Sequence, residues 1–460
     1  MKNTRTLMAL RTLQALIILA PLPFGAAPEP FATLFYLCLV LWLAVTWPDA
    51  HNQTNFPGSK WLTRLVMLVP ALAALQLVPL PRDWVFALHP GAQTLLESLP
   101  RPIGEWLPLS LAPAVTFHSF LCLLVLALFF LTLWRLRLDR RQMAGIFAAL
   151  LASGAVQTTI GTARMLLPGR NFFLFFYPIE NPLPRMHLTG TFADNESVAL
   201  FLATILLTAL GWWAAEAGIF SSRGPRPSSW REWLLPGRIR WVHLALTGIC
   251  AAGFALTRSR NLGWLFLGTL FAALIMGLYA QFTPQRRHPW RWALLAVVLL
   301  PMIMGVRHAQ PRFQDRETGN LAYVRTVPVL KEMIKDFPVM GTGWGTFAQA
   351  NPDYMNRPEV NVSHARNEWL QVAVEGGLVS LGVMLCALLL FLLGLWRCWI
   401  ALADRWLRAV TAGLLAACML AWEVALIHYP WRIPFTAFIT LLLMALALRM
   451  VTIREGREGS

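Results

Sequence analysis

Hydrophobic segments of about twenty residues recur along the whole chain, and short polar segments separate most of them. Each is long enough to cross about 30 Å of hydrocarbon as a helix. The pattern predicts about twelve spans, which we place at 12–27, 30–47, 63–80, 113–134, 143–163, 197–215, 241–257, 262–280, 292–307, 369–396, 409–427 and 435–452. We therefore expect an all-α, polytopic integral membrane protein in which residues 1–460 form a single membrane domain.

The composition supports a membrane protein. Hydrophobic residues make up 57% of the chain and charged residues only 13%, whereas a soluble domain carries about 25% charged residues. The six cysteines lie in or at the ends of apolar segments and lack metal-ligand spacing. A disulfide framework is therefore not expected.

The net charge of +16 raises the possibility of a nucleic-acid partner, but the placement of the charge argues against it. With the N-terminus in the cytoplasm, most basic residues fall in short cytoplasmic connections such as 135–141 and 286–291. The charge is then a topology signal and an attraction to membrane lipids. This map puts the loops 164–196 and 308–368 outside and the tail 453–460 in the cytoplasm.

The outward segments contain three predicted features: an amphipathic helix, a tight turn and a surface loop. Within 308–368, apolar residues recur at helical spacing from Leu321 to Phe337 with basic residues between them, which predicts an amphipathic helix that lies on the bilayer or covers a cavity. The glycines of 341–347 predict a tight turn after it. Residues 81–112 are Pro-rich and nearly neutral, and we expect a loop on the membrane surface.

A polar stretch enters the span that begins near residue 369. Four residues share one face if the stretch is helical, with Asn367 beside them: His364, Glu368, Gln371 and Glu375. Polar groups on a membrane-entering helix are costly unless they face a cavity or a partner. The alternative is a helix cap followed by a satisfied polar seam. Gly376 and Gly377 follow and would let a neighbouring helix approach closely.

Four local patterns resemble the O-antigen ligase and O-antigen polymerase superfamily. They are Gly190-Thr-Phe-Ala-Asp-Asn-Glu-Ser-Val-Ala199, then Thr257-Arg-Ser-Arg260, then Arg325 followed by Asp336–Phe347, and finally His364-Ala-Arg-Asn-Glu-Trp-Leu-Gln371 with Glu375 and Tyr429–Pro434. Each pattern alone is weak evidence for the family. Their order and their shared side of the membrane carry the resemblance.

The resemblance implies a GT-C-like membrane fold and a glycosyltransferase. The implied donor is a glycan linked to undecaprenyl diphosphate, and the acceptor is lipid A core, a growing glycan or another glycan. The reaction is expected at the periplasmic face of the bacterial inner membrane, with no metal and no cofactor.

The resemblance and the chemistry together suggest roles for individual residues. Arginine suits a diphosphate because its charge is permanent and its planar fork grips two oxygens. Arg258 and Arg260 are the first candidates for such a clamp, and Arg325 and Arg366 would complete it. The alternative for Arg258 and Arg260 is that they anchor a helix end at lipid headgroups. His364 is expected either to take the proton of the acceptor hydroxyl or only to position the acceptor.

Six further residues are predicted to bind substrate: Asn367, Gln371, Glu375, Asp194, Glu196 and Arg432.

The chain departs from the family pattern at four positions. Arg366 stands where the family has a second histidine, Asp194 and Glu196 stand at two asparagine positions, and His428 stands where an aspartate is common. Glu423 and His428 are expected to form a structural pair near the end of a span. Two alternatives remain open. One is a transporter of lipid-linked glycan, which would also need basic residues for diphosphates. The other is an inactive family member that acts as an assembly scaffold, which Arg366 in place of the family histidine keeps open. Basic residues are nearly absent from the middle of the spans, which disfavours transport.

Overall fold

The computed structural model describes residues 2–46, 59–97, 104–136, 138–166, 187–218, 231, 234–235, 239–282, 321–354, 363–402 and 404–452. In the first half of the chain the helices are α1 (Lys2–Leu19), α2 (Glu29–Thr46), α3 (Ser59–Leu75), α4 (Arg82–Leu88), α5 (Pro90–Glu97), α6 (Pro113–Arg135), α7 (Arg140–Leu166) and α8 (Asn195–Glu216). In the second half they are α9 (Trp241–Leu256), α10 (Arg260–Phe282), α11 (Leu321–Asp336), α12 (Phe347–Tyr354), α13 (Glu368–Ala401), α14 (Arg405–Val424) and α15 (Pro434–Thr452).

Seven of these helices are long and apolar enough to cross a membrane, namely α2, α6, α7, α8, α13, α14 and α15. A helical, polytopic membrane protein is thereby supported, while the predicted number of about twelve spans is not established. Each predicted span overlaps a described helix except 292–307, which lies outside the described residues. The tail 453–460 also lies outside them, as do residues 167–186, 308–320 and 355–362 of the two outward loops.

The centre of the bundle is formed by α8, α14 and α15, each with 83% of its apolar window buried. Small residues allow close contact between α8 and α14, because Gly211 on one helix lies directly against Gly413 on the other. The outer helices α2, α6 and α13 bury only 33%, 33% and 22% of their windows. They present leucines to the surroundings, as helices facing lipid do.

The bundle has two chemically different ends. The first, called the polar end, contains residues 188–197, 256–260, 363–375 and 425–433. Hydrogen bonds join its turns, since Asn195 Nδ2 donates to the Thr257 carbonyl at 3.1 Å and Asn367 Nδ2 donates to the Leu426 carbonyl at 2.9 Å.

The second, called the basic end, contains residues 135–136, 138–141, 216, 397–402 and 404–408. The indole of Trp406 donates there to Glu216 at 3.1 Å, and Arg140 forms an ion pair with Asp404. Because α8 runs from Asn195 to Glu216, it begins at the polar end and finishes at the basic end.

Residues 81–112 differ from the expected surface loop, whereas the outward segment near residue 321 forms the predicted helix. Strands β1 (Pro79–Pro81) and β2 (Trp106–Pro108) pair antiparallel, and α4 and α5 lie between them in the chain. The amphipathic helix predicted from Leu321 to Phe337 is present as α11, with Pro328 inside it. Leu330 and Met333 of this helix, and Phe337 directly after it, are buried and pack on protein. Of the two readings for this helix, the structure therefore favours the one in which it covers other parts of the protein.

Helix α13 is bent at Gly377, where φ is 69° and ψ is 177°. We expected Gly376 and Gly377 to admit a neighbouring helix, but the loop 338–341 lies there instead. A methyl group on Gly377 would overlap the Val339 carbonyl oxygen, whereas nothing lies within 4 Å of the corresponding position on Gly382. Only glycine combines a positive φ with so close an approach.

Candidate functional site

The first part of the site is the start of α13. Asn367 is its N-cap, because the Asn367 side chain accepts from the Leu370 amide at 3.0 Å. The Glu368 amide donates to the Ala425 carbonyl at 2.9 Å, which fixes the helix start against the loop after α14. The expectation that His364 shares a helix face with Glu368 and Glu375 is therefore wrong, since the cap interrupts the helix and leaves His364 in the preceding loop.

Arg432 lies between two buried carboxylates of α13. Its Nε is 2.8 Å from Glu368 Oε1 and its Nη1 is 2.6 Å from Glu375 Oε2. The guanidinium carbon also lies 5.9 Å from the ring centre of Trp344. Burial alone lowers the pKa of Arg432, but the charges of Glu375 and Glu368 and their hydrogen bonds raise it above its ordinary value, so the guanidinium stays charged.

A glycine-rich turn completes the surroundings of Glu375. The backbone amides of Gly345 and Phe347 donate to the Glu375 carboxylate at 2.9 and 3.3 Å, and Gln371 Nε2 donates to it at 2.9 Å. Gly341, Gly343 and Gly345 all have positive φ, which confirms the predicted tight turn. Gln76, at the end of α3, fixes the turn by accepting from the Trp344 amide at 3.0 Å and donating to the Glu375 carbonyl at 2.9 Å.

The second part of the site surrounds His428. Its Nε2 lies 3.3 Å from Asp194 Oδ1 and 3.1 Å from Ser197 Oγ, and its Nδ1 lies 3.5 Å from Glu196 Oε2. The expected pair of Glu423 and His428 does not form. Glu423 instead accepts from Thr269 Oγ1 at 3.1 Å, because α14 ends at Val424 and the following turn carries His428 towards the start of α8.

Tyr429 connects the two parts of the site. Its ring centre lies 4.8 Å from that of His364 and 4.3 Å from that of His428. Burial raises the pKa of Tyr429 to about 12, so the phenol is neutral at neutral pH.

The pKa values of the two histidines are shifted in opposite directions. Burial, followed by the positive charge of Arg432, lowers the pKa of His364 to about 4. Burial also lowers that of His428, but hydrogen bonding to Asp194 and the charges of Asp194 and Glu196 outweigh it, so the pKa of His428 is raised. At neutral pH, His364 is therefore neutral, whereas the carboxylates beside His428 favour protonation of its ring.

Three of the predicted arginines line the outside of the polar end. Arg258, Arg260 and Arg366 are exposed, and within the described ranges no carboxylate lies close enough to form an ion pair with any of them. Arg258 and Arg366 have φ values of 52° and 30°, which is uncommon for residues other than glycine. Such backbone strain clusters at functional turns. The backbone of Arg325 belongs to α11, but its side chain lies outside the described part of the structure.

Sequence reasoning assigned no site role to Glu368, His428 or Tyr429, and it missed Gln76 and Trp344. His428 and Tyr429 are adjacent to Arg432, and the short motif Tyr429–Pro434 was the available signal. Nothing in the local sequence around Gln76 distinguishes it from other polar residues at the end of an apolar segment, because its three partners lie in distant segments.

The polar end thus defines a helical membrane protein with exposed cationic turns over a buried network of carboxylates. A family model described as O-Antigen ligase matches residues 245–385, which include Arg258, Arg260, Arg366 and Glu375. The match confirms the resemblance to the O-antigen ligase and polymerase superfamily. The family indicates a glycosyl-transferring membrane enzyme that acts on lipid-linked glycan and a glycan acceptor. No curated protein matches the chain.

Proposed function

We propose that this protein transfers or polymerises a glycan linked to undecaprenyl diphosphate, at the periplasmic face of the bacterial inner membrane. The observation that carries the proposal is the presence of three exposed arginines, Arg258, Arg260 and Arg366, without carboxylate partners in the described residues. Cations that are already paired, such as Arg432, have less capacity for a new anion. Exposed guanidinium groups that form no ion pair within the described residues are suited to a diphosphate.

The distribution of basic residues supports this sidedness. Arg135, Arg140, Arg141, Arg397 and Arg405 all stand at the basic end, next to short connections. The positive-inside rule assigns such an end to the cytoplasm. The polar end then faces the periplasm, where lipid-linked glycans would meet their acceptors.

The proposed reaction divides the site into a donor side and an acceptor side. The arginines 258, 260 and 366, with Arg325 as a fourth candidate, hold the diphosphate. The acceptor hydroxyl attacks the anomeric carbon, and the bond from that carbon to the phosphate oxygen breaks with its electron pair moving to the diphosphate. Guanidinium groups supply the positive charge that the leaving group requires, so the proposal assigns no metal and no cofactor.

The remaining predicted site residues are proposed to shape the acceptor side. Asn367, Gln371, Glu375 and Arg432 use their polar atoms mainly for contacts within the protein. Their proposed role is therefore to fix the positions of the segments that surround the acceptor. His364 contacts the acceptor, because its neutral ring can accept a hydrogen bond from a sugar hydroxyl.

A deletion strain tests the proposal directly. Loss of all long chains from lipopolysaccharide indicates a ligase, and accumulation of single-repeat products indicates a polymerase. Unchanged lipopolysaccharide and capsule banding would contradict the proposal.

Purified protein in liposomes separates the alternatives. A transferase forms a glycosidic product only when both donor and acceptor are supplied. A transporter would move the donor across the bilayer without any acceptor. An inactive scaffold would do neither, while the deletion strain would still show a defect.

A further inference from the structure

His428 lies between two carboxylates, and this arrangement suits proton transfer as well as structural support of the loop after α14. Asp194, His428 and Glu196 form a line in which one buried imidazole touches two carboxylates. The side chain of His428 is only 3% exposed, whereas those of Asp194 and Glu196 are 27% and 25% exposed. The imidazole is therefore buried between two carboxylates that are both partly exposed at the polar end.

Both carboxylate oxygens of Asp194 already accept hydrogen bonds within the protein. Its Oδ1 accepts from the Ser197 amide at 2.7 Å and its Oδ2 accepts from the Ser197 hydroxyl at 2.8 Å. Burial alone raises the pKa of Asp194, but the hydrogen bond and charge of His428, with the bonds from Ser197, lower it to about 2. A carboxylate with this pKa and these partners is a poor proton acceptor.

Glu196 is the available carboxylate of the pair. Its only close polar neighbour in the described ranges is His428 Nδ1, at 3.5 Å from Oε2, and this Nδ1 is buried without a hydrogen-bond partner. A contact of this length becomes a hydrogen bond after a small rotation of the Glu196 side chain, as catalytic contacts often do once substrate is bound. The Glu196 side chain is 25% exposed, so its carboxylate is accessible from the surface of the polar end.

His364 is less suited to the same task. Its ring packs against that of Tyr429 at a tilt of 33°, its Nδ1 is buried, and burial and the positive charge of Arg432 both lower its pKa. It can accept a hydrogen bond, but holding a proton there is costly.

We propose that Glu196 takes the proton of the acceptor hydroxyl, and that His428 and Asp194 are the positioning residues that orient it. This rests on the proposed function. The hydroxyl O–H bond breaks, its proton moves to Glu196, and the oxygen forms the new bond to the anomeric carbon as the diphosphate departs with the electron pair of the broken bond. Glu196 returns its proton to water after the product leaves. His364 positions the acceptor.

The test uses purified full-length protein in liposomes with a lipid-diphosphate-linked glycan donor and a glycan acceptor. Glu196→Gln keeps the shape of the side chain and removes the base, so we expect kcat to fall by about 10²–10⁴-fold. Binding of undecaprenyl diphosphate alone, measured in the same liposomes, should not change. Glu216→Gln, at the other end of the same helix, is the matched control and should retain the wild-type rate.

A second variant separates chemistry from structure. Glu196→Gly leaves space for a small carboxylate, and added formate should restore part of its rate. His428→Gln should lower kcat more than it changes the KM for the acceptor, and formate should not restore it. His364→Gln should raise the KM for the acceptor more than it lowers kcat, as expected of a residue that positions the acceptor.

Three outcomes would overturn the assignment. Near-normal turnover by Glu196→Gln removes Glu196 from the reaction while leaving the proposed function intact. Failure of formate to restore any rate to a folded Glu196→Gly variant shows a structural role. Absence of transfer by the wild-type protein itself contradicts the proposed function, and this assignment fails with it.

Discussion

Both ends of the bundle carry an arginine paired with a carboxylate, but the two pairs differ in their surroundings. At the polar end, the Arg432 side chain is 14% exposed and its partners Glu368 and Glu375 are 2% and 1% exposed. At the basic end, the Arg140 side chain is 50% exposed and Asp404 is 22% exposed. The same chemical pair is thus a buried network in one region and a surface contact in the other.

The difference shows that the polar end buries charges at a cost in desolvation free energy, whereas the basic end does not. Burying charges requires desolvation that their mutual attraction only partly offsets, and apolar replacements of whole buried ion pairs are often as stable. The Arg432 network is therefore better explained by the shape it gives the polar end than by its contribution to stability. The basic end needs only charge on the membrane surface, which solvated arginines provide.

The largest expected effect comes from removing the buried cation. Arg432→Met leaves Glu368 and Glu375 buried without their partner, and we expect a loss of about 3–5 kcal/mol in the free energy of unfolding. Thermal or denaturant unfolding of the purified protein measures it. Adding Glu368→Gln to the variant should recover part of the loss. A loss below about 1 kcal/mol, typical of exposed pairs, would remove the contrast between the two ends.

The bend in α13 offers a second, slightly smaller effect. Gly377→Ala forces a residue with a Cβ into positive φ against the Val339 carbonyl, which we expect to destabilise by about 2–3 kcal/mol. Gly382→Ala on the same helix meets open space and should be neutral or stabilising by up to about 1 kcal/mol. Unfolding midpoints of the two variants give the comparison. Equal midpoints would show that the loop 338–341 is free to move away.

The exposed arginines of the polar end should affect activity without affecting stability. Arg258→Ala and Arg260→Ala each remove a charge-assisted contact of about 1.5–3 kcal/mol, or about 10- to 150-fold in donor binding or rate. Arg→Lys should restore only part of this, because the planar fork is lost. Arg397→Ala, an exposed arginine near the basic end of α13, is the control in transfer assays. Full activity of the Arg258 and Arg260 variants would support the reading in which they only anchor a helix end at lipid headgroups.

The smallest effect is expected at the basic end. Arg140→Gln removes the ion pair with Asp404 and the contact of Arg140 with the Trp406 ring, at 4.8 Å from its centre. We expect a loss of about 0–1 kcal/mol that decreases further at high salt. Unfolding at low and high ionic strength measures it. A loss as large as that of Arg432→Met would mean that both ends depend equally on their ion pairs.

Features encoded by neighbouring residues could be predicted from the sequence. Hydropathy over about twenty residues is enough to recognise helices such as α8, α14 and α15, and helical spacing predicted α11. Glycine content predicted the turn at 341–347. The motif order indicated the family, and the charge bias suggested which end faces the cytoplasm.

Only the tertiary structure decided how the site is assembled. Arg432 meets Glu368 and Glu375 across 64 and 57 residues of chain, and Ser197 meets His428 across 231. A hydropathy pattern shows that each helix is buried but not which neighbour it faces, because apolar packing is non-directional and many arrangements satisfy it. The expected pair of Glu423 and His428 failed for this reason. Which cation meets which carboxylate depends on the rotation and offset of packed helices, and these are properties of the whole bundle.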